Sequence, residues 1–432
     1  MQKLTPNTIC LVIDGLHTGY LGAYGNTWLG TPHWDRLASE SFLFDAAMVD
    51  MPDLARLYRA YWLGVHGAVT GEPAGARTPS LPAQLEAAGV ETTLITDDAS
   101  IAAHPLAAGF GATVQVEPRS RMPGADVFAE NQEATELAQY FAQLIALLER
   151  QSEPFLLWAH CGSLGRIWDA PQALRQALLD EEGDEDSEPI EVESLFATEP
   201  PSRLLSLDFD PDELLGWRRA YAAQVSVLDS CLGALREALA ESDWGRRTLL
   251  TIIGARGFPL GEHRQLGWYS KNLHEELIHI PWLLRFPDGM SAASRSSALV
   301  QPADLAMTLA AWEGLPVSER GRAPAVGQNL LPVVRDEVEA VRDRVLIVAD
   351  DQQQAIRTPA WLLRKLPTGS APRELELFVK PDDRWEANEI GDRCPAVAAE
   401  LEERLQELLQ ADRMTDPASL TPLGDECLRG PN

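Results

Sequence analysis

No CxxC pair occurs in this chain, and its five cysteines (Cys10, Cys161, Cys231, Cys394, Cys427) are odd in number and far apart. That spacing supports neither a disulfide framework nor a zinc knuckle, and reduced thiols in a cytosolic protein are the simpler expectation. No apolar run reaches the ~20 residues that a membrane span needs, so no membrane partner is expected. The opening MQKLTPNTICLVIDG enters a strand almost at once. Its apolar stretch is too short and too β-branched for a signal peptide, and no small-residue cleavage site follows. The expectation is a mature chain that starts near Met1 and stays in the cytoplasm. Positive charge is scarce as well: 36 Lys and Arg against 65 Asp and Glu give a formal net charge of −29. A nucleic-acid partner needs a basic footprint, so that class is excluded, and broad contact with sulfated polymers is disfavoured. A local basic pocket is still compatible with this balance. The glycine-rich GVHGAVTGEPAGA (64–76) lacks the G-K-[ST] that would cradle phosphates.

What is present is a globular chain: 432 residues, 45% of them hydrophobic and 7% aromatic. This length buries one large core, or one large core plus a small second domain. Strand and helix patterns alternate. TICLVID (8–14), VETTLIT, PFLLWAH (154–160), RTLLTIIG (247–254) and IPWLLRF (280–286) have the composition of buried strands. Helices are expected from Thr31, with Pro32 in the first turn, and over 79–89, about 129–151, and 211 to about 240. This alternation predicts an α/β fold, a large mostly parallel sheet sandwiched by helices. The stretch DEEGDEDSEPIEVESLFATEPPSR (180–203) has dense like charge and little to bury. It reads as a solvated, mobile acidic insertion or as a docking segment for a basic partner. Past Arg342 the texture changes to short alternating runs (RVLIVAD, QQAIRT, AWLLRKL, ELELFV), then a helix at 394–410 and an irregular tail. We therefore divide the chain into a main domain, 1–341, and a C-terminal subdomain, 342–432, with a small antiparallel sheet.

In this order the segments resemble the sulfatase family of the alkaline-phosphatase superfamily over nearly the whole chain. IDGLHTGYLGAYGN (13–26) resembles the opening strand and loop D-D-L-x-x-x-x-L-G-x-Y-G-N, and TPHWDRLASESFLFDAA (31–47) the helix T-P-N-L-D-x-L-A-x-E-G-x-x-F. GEH with LHEELIHIPWLLRFPDG (273–289) resembles L-G-E-H…L-Y-E-E-x-x-x-I-P-L-L-I-R-x-P. AIRTPAWLLRKL and ELELFVKPDDRWEANEI resemble the family's C-terminal subdomain. The resemblance implies a sulfatase-like fold and, for an active member, a divalent metal, usually calcium, held by hard oxygen ligands. It also implies a formylglycine nucleophile made from the Cys of C-x-P-S-R, with nearby Lys and His holding the sulfate.

The site residues depart from that pattern. Asp14 stands at the first ligand position and Gly15 at the second, while the S-D-[HN]-G pair falls on Gly254-Ala255-Arg256-Gly257. An acid becomes a methyl, and another ligand becomes a cation that cannot be deprotonated. A guanidinium there would pair with Asp14 and repel a divalent ion, so no metal or other cofactor is expected. MVDMPDLARLYRAYWLG puts Leu54 at the nucleophile position, Arg56 at the motif proline and Tyr58 at the motif arginine. The adjacent Asp53 is either an acyl-phosphate-type nucleophile or a carboxylate in a helix's first turn. Asp97-Asp98-Ala99 replaces a cationic G-K-x-H, Ser163-Leu164-Gly165 replaces D-P-H, and Gly267-Trp268 replaces G-K. Lys271 could substitute for that lysine or be a surface residue, and His263 is structural or catalytic. HEELIH (274–279) resembles a zincin motif with one residue too many. Its two histidines lie about 140° apart round a helix, and the resemblance puts them in a loop. His17, His33, His66, His104 and His160 show no ligand spacing. Two readings follow. One is a catalytically inactive pseudo-sulfatase that binds a small anionic ligand or a basic protein partner. The other is a sulfuric or phosphoric ester hydrolase with a rearranged, metal-poor site, in which Arg56, Arg59 and Arg256, with Lys271, form an anion pocket.

Overall fold

The computed structural model describes residues 7–69, 79–117, 128–180, 192–270, 272–316, 326–349, 353–367, 369, 374–411, 415 and 419–430. Its strands in chain order begin with β1 (Asn7–Ile13), β2 (Phe42–Ala47), β3 (Glu91–Thr96), β4 (Ala112–Gln115) and β5 (Phe155–Cys161). The short β6 (Arg203–Leu204) follows, then β7 (Thr248–Gly254), β8 (Gln265–Leu266), β9 (Trp282–Arg285) and β10 (Ser294–Val300). The last four are β11 (Val345–Val348), β12 (Gln354–Arg357), β13 (Trp361–Lys365) and β14 (Leu375–Val379).

Eight strands form one sheet in the order β10-β2-β9-β7-β1-β5-β3-β4. Every pairing in it is parallel except those of β9, which runs against β2 and β7. β1, β5 and β7 are buried at every position. A parallel sheet covered on both faces demands such continuous apolar runs. Successive side chains alternate between the two faces. Cys10, Val12, Leu156, Trp158, Leu249 and Ile253 enter one core, whereas Ile9, Leu11, Leu157, Ala159, Leu250 and Ile252 enter the other.

The helices α1 (Pro32–Ser39), α2 (Leu54–Leu63), α3 (Leu81–Ala87), α4 (Ala99–Ala102), α5 (Glu136–Leu148) and α6 (Gln172–Asp180) precede the long α7 (Pro211–Glu241). α1, α5 and α6 pack on α7 over the second core, and α2 packs on α9 (Ala303–Trp312) over the first. Between them in sequence lies α8 (Glu275–Ile278), and α10 (Leu331–Val334) follows α9.

The four C-terminal strands pair antiparallel in the order β11-β12-β13-β14. One face of this sheet, with Val345, Ile347, Ala355, Leu362 and Phe378, joins the first core. The other face packs Ile356, Trp361, Leu363 and Leu377 on α11 (Pro395–Gln410) through Val397, Leu401 and Leu405.

Four expectations need correction. The helix expected over 129–151 starts only at Glu136, because Thr135 caps it by accepting the Ala138 N–H. The loop expected at HEELIH contains one helical turn, α8. The tail is not wholly irregular, since α12 (Asp425–Arg429) buries Cys427. Of the acidic stretch, residues 181–191 lie outside the described residues, and its later part is only in part solvated, Glu193, Phe196 and Glu199 being exposed while Ser194 and Leu195 are buried. Leu195 is fully buried, and Arg175 Nη1 donates to the Leu195 and Ala197 carbonyls at 2.7 Å each.

Candidate functional site

The carboxyl ends of β1, β5 and β7 meet at Asp14. The parallel register carries on past the strands: the Ala255 N–H donates to Ile13 O (2.9 Å) and the Gly15 N–H to Arg256 O (3.0 Å). The two backbones therefore present Asp14 and Arg256 side by side. Arg256 Nε lies 3.0 Å from Asp14 Oδ1 and Nη2 lies 3.1 Å from Oδ2. This is a two-pronged charge-assisted pair, the geometry in which a guanidinium matches a carboxylate best. It is largely withdrawn from water, the Arg256 and Asp14 side chains being 14% and 4% exposed. Arg256 Cζ also sits 3.5 Å from the centroid of the Trp268 ring, and Arg256 Nη1 approaches Pro52 O at 3.5 Å. The expected pairing of Arg256 with Asp14 is thus present, and Trp268 forms its floor.

Trp268 is itself fixed. Its Nε1–H donates to Gly257 O at 2.9 Å, and its ring lies over Gly165, where a Cβ would fall 2.0 Å from the indole. Gly15 takes a left-handed φ of +80°, and a Cβ there would lie 3.2 Å from Gly165 N. Both Gly15 and the fully buried Ala255 offer no side-chain donor to a cation.

Leu54 opens α2 and packs against the first core. Asp53 is the N-cap of that helix, accepting the Arg56 N–H at 3.1 Å, which is the ordinary role of an acid there. Arg56 is half-buried, and Arg59 Nη1 donates to Val69 O at 2.7 Å. Lys271 lies outside the described residues. Tyr58 shares a 2.6 Å hydrogen bond with His160 Nδ1. Burial pushes the His160 imidazolium down, against the opposing pull of Asp97 and Asp14, so the ring is held neutral. Burial likewise raises the Tyr58 phenol and keeps it protonated. Asp97 accepts from Gly162 N (2.7 Å) and Ser163 Oγ (2.8 Å) and pairs with Arg166 (2.9 Å). The Asp97 carboxylate is therefore consumed in fixing the loop after β5.

His263 Nδ1 lies 2.9 Å from Glu276 Oε1. Burial alone would lower the His263 imidazolium, but Glu276 and Glu386 together outweigh it and raise it. Its ring stacks on His274 with centroids 3.4 Å apart. Among the described residues His263, His274 and Glu386 offer ligand atoms within 4.8 Å of one another. Two cations already stand against this group. Arg364 Nη1 is 2.5 Å from His274 Nε2, and Lys380 Nζ is 3.0 Å from Glu386 Oε1. No sequence spacing could have flagged this cluster, because its members come from three separate segments. Trp268 was visible in the sequence, but its stacking under Arg256 depends on tertiary packing.

The Sulfatase family model matches residues 6–315. The chain is 30% identical over 142 residues to the N-acetylglucosamine-6-O-sulfatase of Bacteroides thetaiotaomicron, covering 32% of this chain and 24% of that protein. It is 26% identical over 156 residues to arylsulfatase K of Gallus gallus, covering 36% of this chain and 26% of that protein. The chain therefore spans about a quarter of the length of these curated relatives. Its fold superposes on the phosphonate monoester hydrolase of Agrobacterium radiobacter with a TM-score of 0.70 at 18% identity, over 93% of this chain and 95% of that one. No described helix is long and apolar enough to cross a membrane. With the family model spanning more than half its length, the chain belongs to the sulfatase family.

Proposed function

We propose that this is a sulfatase-family protein that hydrolyses no ester at its strand-end site and acts instead by binding, either a small anionic ligand or a basic protein partner. The observation that carries this reading is the two-pronged Arg256–Asp14 pair resting on Trp268. The family's divalent metal does not fit this donor set. Both Asp14 oxygens already accept from a guanidinium, Gly15 and Ala255 bring no ligand atom, and Arg256 brings a fixed positive charge. Leu54 supplies no nucleophile, and Asp53 is engaged as a helix cap. Five free thiols, four of them buried, support a reducing compartment such as the cytoplasm.

The test joins metal content to turnover. Protein dialysed against calcium, manganese and zinc should retain less than about a tenth of an equivalent of each by elemental mass spectrometry. It should also leave 4-nitrophenyl sulfate, phosphate and phenylphosphonate at their uncatalysed rates. Turnover that disappears in Arg256→Ala would establish the rearranged hydrolase instead. A bound equivalent that disappears in His263→Ala, without turnover, would assign the metal to the His263 cluster and leave the strand-end reading intact.

A further inference from the structure

A cavity of about 840 Å³ opens between the loop after β1, the start of α7 and the segment 384–387. None of Asp14, Leu54, Arg256 or Trp268 lines it. Its volume falls within the ~300–1,000 Å³ typical of small-molecule sites. Two indoles face it, Trp28 at 40% exposure and Trp385 at 55%. Each carries a guanidinium over its ring: Arg219 Cζ lies 4.5 Å from the Trp28 centroid and Arg384 Cζ lies 5.1 Å from that of Trp385.

The charge in this cavity opposes that of the molecule. In a chain of net charge −29, Arg218, Arg219 and Arg384 all line one pocket. Arg218 Nε donates to Leu260 O and Arg384 Nη1 to Tyr24 O, each at 2.9 Å. These bonds anchor the two side chains through one of five N–H donors. Among the described residues neither Arg218 nor Arg384 forms an ion pair. The two lining carboxylates, by contrast, are occupied. Glu262 lies 3.6 Å from His17 and accepts the Leu260 N–H at 2.6 Å, while Glu386 is bound by Lys380 and His274. Among the described residues, the Arg218 and Arg384 guanidiniums therefore line this cavity outside ion-pair contact with any carboxylate.

We infer that this cavity binds a small phosphate monoester bearing a flat aromatic ring, of the size and chemistry of a nucleoside monophosphate. The arginines take the phosphate, for which their planar fork is suited. The ring stacks on the exposed indoles. A guanidinium on one face of an indole draws π density toward itself, which favours a flat aromatic partner over the C–H groups of a sugar. The inference uses residues outside the strand-end site, so it stands or falls independently of the proposed loss of hydrolysis.

The experiment titrates the full chain with AMP, adenosine, inorganic phosphate and glucose 6-phosphate, followed by tryptophan fluorescence and calorimetry. AMP should bind saturably, and each of the other three at least ~10-fold more weakly, since each lacks one half of the recognition. Trp385→Ala and Arg384→Ala should each weaken AMP binding ~10-fold or more. Both side chains are at the surface of the cavity, and unchanged circular dichroism would verify that these variants fold. Arg256→Ala, in the separate site, should leave AMP binding unaltered. No saturable AMP binding would overturn the proposal, and so would retention of full affinity by both cavity variants. Glucose 6-phosphate binding as tightly as AMP would overturn the choice of an aromatic ring.

Discussion

Burial makes Arg256 and Asp14 depend on each other. Removing one partner of a buried pair leaves an uncompensated charge, at a typical loss of 3–5 kcal/mol. Arg256→Ala should therefore lower the unfolding free energy by about 3 kcal/mol in urea, with the lost Trp268 stack included. The double variant Asp14→Asn, Arg256→Met should recover most of that loss, since it removes both charges together. A single variant within about 0.5 kcal/mol of the parent would show that water replaces the pair freely. Glu313 gives a pH signature of its own. It accepts one hydrogen bond from Thr8 Oγ1 (2.6 Å), while its other oxygen is buried with no partner among the described residues. Burial pushes its pKa from 4.5 up to about 7, with the Thr8 bond pulling the other way. The folded chain then holds this proton more tightly than the unfolded one. Its contribution is complete below pH 4.5 and is lost as pH rises through about 7. Glu313→Gln should narrow the stability difference between pH 5 and pH 8 by about 1–3 kcal/mol, read from urea curves at the two pH values.

At the scale of elements, the start of α2 separates two roles for Asp53. A cap replaced by alanine typically loses about 1 kcal/mol. Asp53→Ala should show that loss in chemical denaturation while leaving ester hydrolysis at the background rate; a nucleophile would show the reverse. The elements also differ in how plainly the sequence announces them. β1, β5 and β7 are unbroken apolar runs because helices cover both their faces, and their positions were readable within a residue or so. β10 was not, because its first half, Ser294–Ser296, lies at the sheet's edge and carries no apolar pattern. β4 is the opposite edge, with no position buried. α5 begins later than its composition suggests because Thr135 competes for the backbone as a cap. Capping and edge exposure are local effects that hydrophobic periodicity does not register.

Over the whole molecule, what the sequence offered of the site was its departures from the pattern it resembles. Gly15, Leu54, Ala255 and Arg256 are readable one position at a time against a family pattern. The compensations were hidden, because Trp268 beneath Arg256 and the stacked His263 and His274 arise only when distant segments pack. The same holds for the C-terminal sheet. Its strands were legible as alternating runs, but nothing in them told that one face merges with the main core through Val345, Ile347 and Phe378. A buried charge network crosses the same junction: Lys380, 1% exposed, contacts Glu275 of α8 and lies 3.0 Å from Glu386. A shared core and a shared ion network couple the unfolding of the two sheets. Calorimetry should then give a single transition, with a ratio of calorimetric to van't Hoff enthalpy near one. Lys380→Met should lower its midpoint without splitting it, because Glu275 and Glu386 lose their common cation while the apolar junction persists. A chain ending at residue 341 should fail to fold, since it exposes the apolar surface that β11 to β14 cover. Two resolved transitions, or a stable and soluble 1–341 fragment, would instead make the C-terminal sheet an independent domain.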